Sequence, residues 1–248
     1  MRQVPLVNDM QPVGIVGNGK VARHMQNFFF LKEIPCISWS RSNKTNPKII
    51  LKNSNIIFLA ITDSSIHNFI EENNWIIKKF LIHFSGSLSC KYAHGIHPLM
   101  TFSDDLYEPS IYEKIPFIHE EEGPSFKEIF PSLNNPCFKI SIEKKAWYHA
   151  QCVMASNFTV LLWNNFFKKM KEDINIDQLH TIPFLEQTFN NIFKNSKNAL
   201  TGPFQRKDTV TIKNNYQALS SDSFQEIYSA FIKVFSPDTY NDITKAKK

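Results

Sequence analysis

Short apolar runs at 13–16, 36–39, 56–61, 80–84, 95–97, 115–118 and 138–140 punctuate the first 140 residues, separated by amphipathic or polar stretches. Runs that stay apolar instead of alternating predict strands buried on both faces. Their alternation with helical stretches predicts an α/β domain with a mostly parallel sheet and helices on both faces. Beyond about Ser141 the strand-like runs stop and helical spacing takes over. Ala146, Ala150, Val153, Asn157, Val160, Leu161 and Asn164 fall along one side of a helix expected over 143–171. Further helices are expected at 177–198, with Pro183 near its first turns, at 208–219 and at 223–235. Ser223 and Glu226 have capping-box spacing, and Pro237 stops that last helix, leaving 238–248 as a frayed tail. The expected organisation is a sheet domain over 1–140 followed by an all-α domain over 141–248.

The length of 248 residues allows one or two domains, and a composition that is 42% hydrophobic with 22 Phe is enough for a sizeable core. The cysteines Cys36, Cys90, Cys137 and Cys152 are far apart and form no C-x-x-C pair, which predicts free thiols in a reducing cytoplasm. The opening MRQVPLVNDM has no apolar signal core, and no apolar run approaches the roughly 20 residues of a membrane helix. The formal charge of +5 is mostly lysine, because arginine occurs only at Arg2, Arg23, Arg41 and Arg206. No run of five basic residues exists and aromatics are not interleaved with basic residues, so a nucleic-acid groove is not expected.

The first chemistry-bearing motif follows the first strand. Val13-Gly-Ile-Val-Gly-Asn-Gly-Lys-Val-Ala22 sets an apolar run directly before Gly17-x-Gly19-x-x-Ala22 and a helix expected through Phe30. Gly17 permits a tight turn, Gly19 lets the backbone approach a pyrophosphate, and Ala22 keeps the helix close to the sheet. Asn18, Lys20 and Val21 complete a turn whose helix N-terminus would offer free N–H groups to phosphate. Only seven glycines occur in the chain, so this grouping favours dinucleotide binding over a merely structural turn.

After the second strand comes Ser40-Arg-Ser-Asn-Lys44, where a site for NAD would carry an acid for the ribose 2′-hydroxyl. Instead Arg41 and Lys44, with the hydroxyls of Ser40 and Ser42, suit a 2′-phosphate, the alternative being a solvated basic loop. NADP(H) is therefore the expected cofactor. The third strand ends in Ile61, Thr62 and Asp63, which either face the cofactor or cap the next helix. Two more strand ends are polar: Ser85, Ser87, His97 and Thr101 should open on the same sheet edge. His97 is the expected general acid/base, exchanging a proton near neutral pH, with Ser85, Asn157 and Arg206 orienting substrate; otherwise it hydrogen-bonds the loop before Pro98. His94 and His97 lack a companion carboxylate or cysteine at ligand spacing, so no metal site is expected.

In the helical domain His149 and Asn157 lie eight residues apart, about 12 Å along a helix and about 80° apart in azimuth, so both could face one cleft. Asn157 falls on the apolar side, facing either a ligand or another helix. Between two helices, Arg206 could bind a carboxylate or phosphate while Asp208 binds substrate or caps the next helix.

These residues resemble a known family: bacterial Rossmann-like proteins with a C-terminal helical domain of unknown function 2520, often labelled NADP oxidoreductases. The resemblance runs through Gly17-Asn-Gly-Lys-Val-Ala22, His83-Phe-Ser-Gly-Ser87, His97-Pro-Leu-Met-Thr-Phe102, Ala155-Ser-Asn-Phe158 and Ala199-Leu-Thr-Gly-Pro203 with Arg206 and Asp208. Met100 and Lys207 depart from it, standing where that family tends to have Gln and Gly. More distantly the chain is similar to the 6-phosphogluconate-dehydrogenase-like superfamily, including pyrroline-5-carboxylate reductase, ketopantoate reductase and prephenate dehydrogenase. The His-Pro segment of prephenate dehydrogenases carries a catalytic histidine, and His97-Pro98 is its nearest counterpart. Relatives with a catalytic Lys and Asn on the interdomain helix would want a lysine within His149–Asn157, and none is there.

The resemblance and the motifs together imply hydride transfer to or from a small, anionic carbonyl, imine or hydroxy-acid substrate in an interdomain cleft. Long apolar helical faces imply a homodimer through the helical domain. The alternative is an NADP(H)-binding regulatory or sensor protein without turnover.

Overall fold

The computed structural model describes residues 11–245. The opening decapeptide and the last three residues of the tail lie outside the described residues. Seven strands form one sheet: β1 (Val13–Val16), β2 (Cys36–Trp39), β3 (Ile56–Leu59), β4 (Phe80–His83), β5 (His94–Pro98), β6 (Phe117–Glu120) and β7 (Cys137–Ile140). Their order is β2-β1-β3-β4-β5-β6-β7, and every pairing is parallel except the antiparallel β5–β6 pair. The strand order reverses about β1, so the crevice beyond the carboxyl ends of β1, β2 and β3 is where a doubly wound sheet binds ligands. Register aligns those ends: Val16 pairs with Trp39 and with Leu59, and Leu59 pairs with His83.

The buried strands are apolar on both faces because both faces are covered. Phe58 and Ile15 meet Phe28, Phe29 and Phe130 on one side, while Val16, Ile57 and Leu59 meet Leu51, Ile66 and Ile70 on the other. Each such side chain contributes roughly 1.5–3 kcal/mol on burial. The edge strands β2 and β7 are only partly covered, in keeping with their places at the ends of the order.

The chain divides into two compact units after Leu162. Sheet gives way to helix at Ser141, as the pattern predicts, yet the helix Ile142–Val153 belongs to the sheet unit. It is pinned there by polar groups. Lys145, Tyr148, His149 and Cys152, spaced three and four apart, form its covered side, while Ala146, Ala150, Val160 and Leu161 of the expected apolar stripe are exposed. The helical period was legible, but the side that meets the sheet is the other one. A π-helical turn, Met154–Phe158, follows, where Ser156 Oγ donates to the Cys152 carbonyl (2.8 Å) and Thr159 Oγ1 to that of Ala155 (2.9 Å).

The second unit contains the helices Gln178–Asn195, Gly202–Arg206, Thr209–Ala218, Phe224–Phe235 and Pro237–Lys245. Three local expectations are corrected. The expected break around Arg206 contains a short helix, closed by Lys207 in the left-handed region (φ 54°), the position at which the resembling family tends to have glycine. The capping box at Ser223 does not form, because Ser223 is itself helical and Asp222 accepts the Phe224 N–H at 2.9 Å. The stretch expected to fray is a helix through Lys245, begun by Pro237, whose missing N–H costs nothing at a helix start. No helix among the described residues is long and apolar enough to cross a membrane.

Candidate functional site

The turn after β1 is built from backbone. Gly17 takes φ 128°, and a Cβ there would run into the carbonyl oxygen of Ala60, so the position admits only glycine. Its N–H donates to the Trp39 carbonyl at 2.8 Å, closing the turn onto β2. Gly19 has ordinary extended backbone, and a Cβ there would meet nothing within 4 Å. Its hydrogen therefore faces open space that a side chain would fill. The helix Lys20–Leu31 starts here with no side-chain cap and no acidic residue in its first turn, leaving its N–H groups for a ligand. Ala22 is fully buried against the sheet.

This turn opens onto a cavity of about 880 Å³ along the carboxyl ends of β1 to β4. Of the residues expected to hold a cofactor, Gly17, Asn18, Gly19, Lys20, Val21, Ser40, Arg41, Ser42, Ile61, Thr62 and Asp63 line it; Ala22 and Lys44 do not. Arg41 forms no ion pair among the described residues, while the loop around it is ordered by Asn43, which accepts from Ser40 N at 2.7 Å. Lys20 and Arg23 both pair with Asp104. Trp39, Asn68, Phe69 and Glu72 also line the cavity and were not expected; the Trp39 and Phe69 rings meet at 5.6 Å.

Asp63 is the first residue of the helix Asp63–Glu72 yet does not cap it. Its carboxylate accepts from Ser85 Oγ at 2.5 Å and Ser87 Oγ at 3.4 Å. Ser85, also on the cavity wall, accepts in turn from the N–H groups of Ser87 (3.2 Å) and Leu88 (2.9 Å), so its hydroxyl is already committed. Thr62 bonds Ser65 across the helix start at 2.8 Å.

Next to Ser85, Gly86 makes the close approach that joins this wall to His97. A Cβ on Gly86 would lie 2.6 Å from His149 Nδ1 and 3.1 Å from His97 Cδ2. His97 Nδ1 bonds the Tyr148 hydroxyl at 2.8 Å, and its ring stands edge-on to that of His149 at 5.7 Å. Burial, reinforced by His149 and the Lys145 ammonium against the opposing pull of Asp63, pushes the His97 pKa down to about 4. The expected proton exchange near pH 7 is thus corrected: this imidazole is neutral there. Burial also raises the Tyr148 phenol, followed by its hydrogen bond with Cys152. Beneath lies an ion pair between Lys145 and Glu120, 3% and 6% exposed. Lys145 also donates to the Leu88 carbonyl, and Glu120 accepts from Gly95 N at 3.1 Å. His83, buried beside it, has its pKa pushed down to about 3 by burial and then by Lys145.

The sequence missed Tyr148, Lys145 and Glu120. The available signal was the polar spacing 145–148–149–152 opposite the apolar stripe, and Glu120, the first of three consecutive glutamates and the one that ends β6. His149 joins His97, but Asn157 does not; it is exposed within the π turn, accepting from Ser156 Oγ at 2.8 Å, because the turn carries it off the covered side. Thr101 is exposed and its carbonyl accepts from Tyr107, while Met100 packs on the core. In the helical unit Asp208 caps Thr209–Ala218, accepting from Thr211 N at 3.0 Å, and Arg206 is exposed at the end of Gly202–Arg206.

Residues 118–234 match the family described as "Domain of unknown function (DUF2520)". No curated protein sequence matches the chain. Among solved structures, the chain is similar to a Bacteroides fragilis protein provisionally described as an NADP oxidoreductase, at 18% identity and TM-score 0.73 over 92% of this chain and 98% of that one. A Thermotoga maritima protein matches at 22% identity and TM-score 0.63, over 94% and 99%. The pyrroline carboxylate reductase of Plasmodium falciparum, solved with NADP bound, matches at 14% identity and TM-score 0.57, over 94% and 98%. At these identities the likeness establishes the fold: a Rossmann-like sheet domain followed by helices.

Proposed function

We propose that this chain is an NADP(H)-dependent oxidoreductase acting on a small carbonyl, imine or hydroxy-acid substrate. The observation that carries the reading is the uncapped helix start at Gly19, opening on an 880 Å³ cavity whose β2 rim presents Arg41 and no acid. The NADP bound to the Plasmodium falciparum reductase, and the provisional description of the Bacteroides fragilis protein as an NADP oxidoreductase, support it. The turn 17–22 would hold the pyrophosphate through backbone N–H groups, and Arg41, with Ser40 and Ser42, the 2′-phosphate. When bound, NADPH supplies the hydride. His97 touches the substrate, and Ser85 keeps Asp63 and the β4 end in place.

Thermal-shift measurements with NADPH, NADP and NAD test this. Stabilisation is expected with the first two, and none with any of the three would sink the cofactor assignment. Binding without NADPH oxidation across a panel of keto acids and imines would favour the sensor alternative.

We also propose that the helical region pairs with a second copy. Among the described residues of the second unit only Thr181, Ile212, Ile232 and Thr239 are buried, while Leu179, Phe184, Phe193 and Phe235 are each more than half exposed. Uncovered apolar surface on this scale supports pairing through this region. Sedimentation equilibrium should give twice the 28.8 kDa chain mass, and a monomer at micromolar concentration would refute it.

A further inference from the structure

Only one of the two ring nitrogens of His97 is free to act. Nδ1 is engaged by Tyr148, whereas Nε2 makes no hydrogen bond among the described residues and is not among the sealed polar atoms. We propose that Tyr148 is the positioning residue of this site: it donates its O–H to His97 Nδ1 and fixes the ring as the neutral Nε2–H tautomer. That tautomer offers its remaining proton as a hydrogen bond to an acceptor atom of the substrate. The inference rests on the reading of this sheet edge as catalytic, and it changes the role assigned to His97. A neutral donor stabilises charge developing on an oxygen without first being an imidazolium.

The direction of the Tyr148–His97 bond follows from what else the phenol touches. Among the described residues the phenol's hydrogen bond is to His97, and the group beside it on its own helix is the Cys152 thiol, one turn on. If His97 donated from Nδ1, the phenolic proton would have to go to the Cys152 sulfur, a weak acceptor. If the phenol donates to Nδ1, a strong O–H···N bond forms and the thiol donates weakly to the phenolic oxygen. The second arrangement is the better satisfied one.

Position and charge agree with this. Tyr148 and His149 both stand edge-on to His97, at 81° and 86°, and Gly86 packs close to the Cδ2 edge, so the ring is held from several sides. The charged and titratable groups facing it are Lys145, His149 and Asp63. Lys145 and His149 oppose an imidazolium and Asp63 favours one, but Asp63 already accepts from Ser85 and Ser87. The neutral form is left in place.

Ring ¹⁵N spectra of the full chain at pH 7, with His97 assigned through a His97→Gln variant, read the tautomer directly. The expected result is a proton on Nε2 and a bare Nδ1. Tyr148→Phe keeps the aromatic packing and removes only the donor; it should produce a mixture of tautomers and raise the proton affinity of His97 about tenfold. A proton on Nδ1 in the unaltered chain overturns the proposal, and this reading stands even if the variant fails to fold. A folded Tyr148→Phe protein with unchanged tautomer and titration would overturn it as well. No cofactor enters these spectra, so failure of the NADPH thermal shift is a separate outcome.

Discussion

The two ends of the sheet edge place their polar groups by opposite means. At the β1 end the turn 17–22 is made of backbone, with Gly17 as its one sterically required residue and the helix N-terminus as its charge. At the β5 end, side chains from β4, β5, β6 and the helix Ile142–Val153 meet below the surface through Lys145, Glu120, His83, Tyr148 and His97. The first depends on a few local dihedral angles. The second depends on several long-range contacts being correct together, because each buried charge or donor there needs its partner.

The largest effect that would sharpen this contrast is at the buried ion pair. Lys145→Met should lower stability by about 3–5 kcal/mol in urea denaturation, since Glu120 is left charged and unpaired. Adding Glu120→Leu should recover much of the loss, and a loss below about 1 kcal/mol for the single change would break the comparison. Acid acts on the same end. His83 and His97 hold folded-state pKa values of about 3 and about 4, below the ordinary 6.5. The unfolded chain therefore binds more protons over this range. Stability should fall as pH drops from about 6.5 toward about 3, by roughly 5 kcal/mol in all. A flat stability profile across that window would contradict the buried neutral state of both rings.

Smaller effects belong to the backbone end. Gly17→Ala should cost about 1–3 kcal/mol of stability and abolish NADPH stabilisation, because the strain at φ 128° and the clash with Ala60 deform the turn. Gly19→Ala should change stability by no more than about 0.5 kcal/mol while weakening NADPH, since its Cβ meets no protein atom. Equal behaviour of the two glycines would refute the division between turn geometry and ligand room. Arg41→Asp should weaken NADPH by tenfold or more, about 1.4 kcal/mol, with a much smaller effect on NADH; isothermal titration of both cofactors checks it.

How much was legible follows the same division. Strands β1 and β2 fall where the apolar runs stand, and most of the turn's residues line the cavity, because strand burial and a glycine turn are properties of contiguous sequence. The helix Ile142–Val153 is legible from its period, while its buried side is not, being the polar one. Periodicity reports that two sides differ; it does not report which one meets the sheet when the apolar one is exposed in the single chain. His97 was found as a strand-end histidine, whereas its low proton affinity was not, because Lys145 and His149 arrive from 48 and 52 positions along the chain.

By itself, then, the sequence determined the order of strands and helices, the glycine turn at the end of β1, and the lack of an acid after β2. These depend on dihedral preferences and on residues a few positions apart. Tertiary structure alone decided that Lys145 is neutralised by Glu120, that Tyr148 claims one nitrogen of His97, and that Asn157 stands apart from it. Those outcomes depend on desolvation and on hydrogen bonds between segments, and neither exists until the helix Ile142–Val153 lies on the sheet.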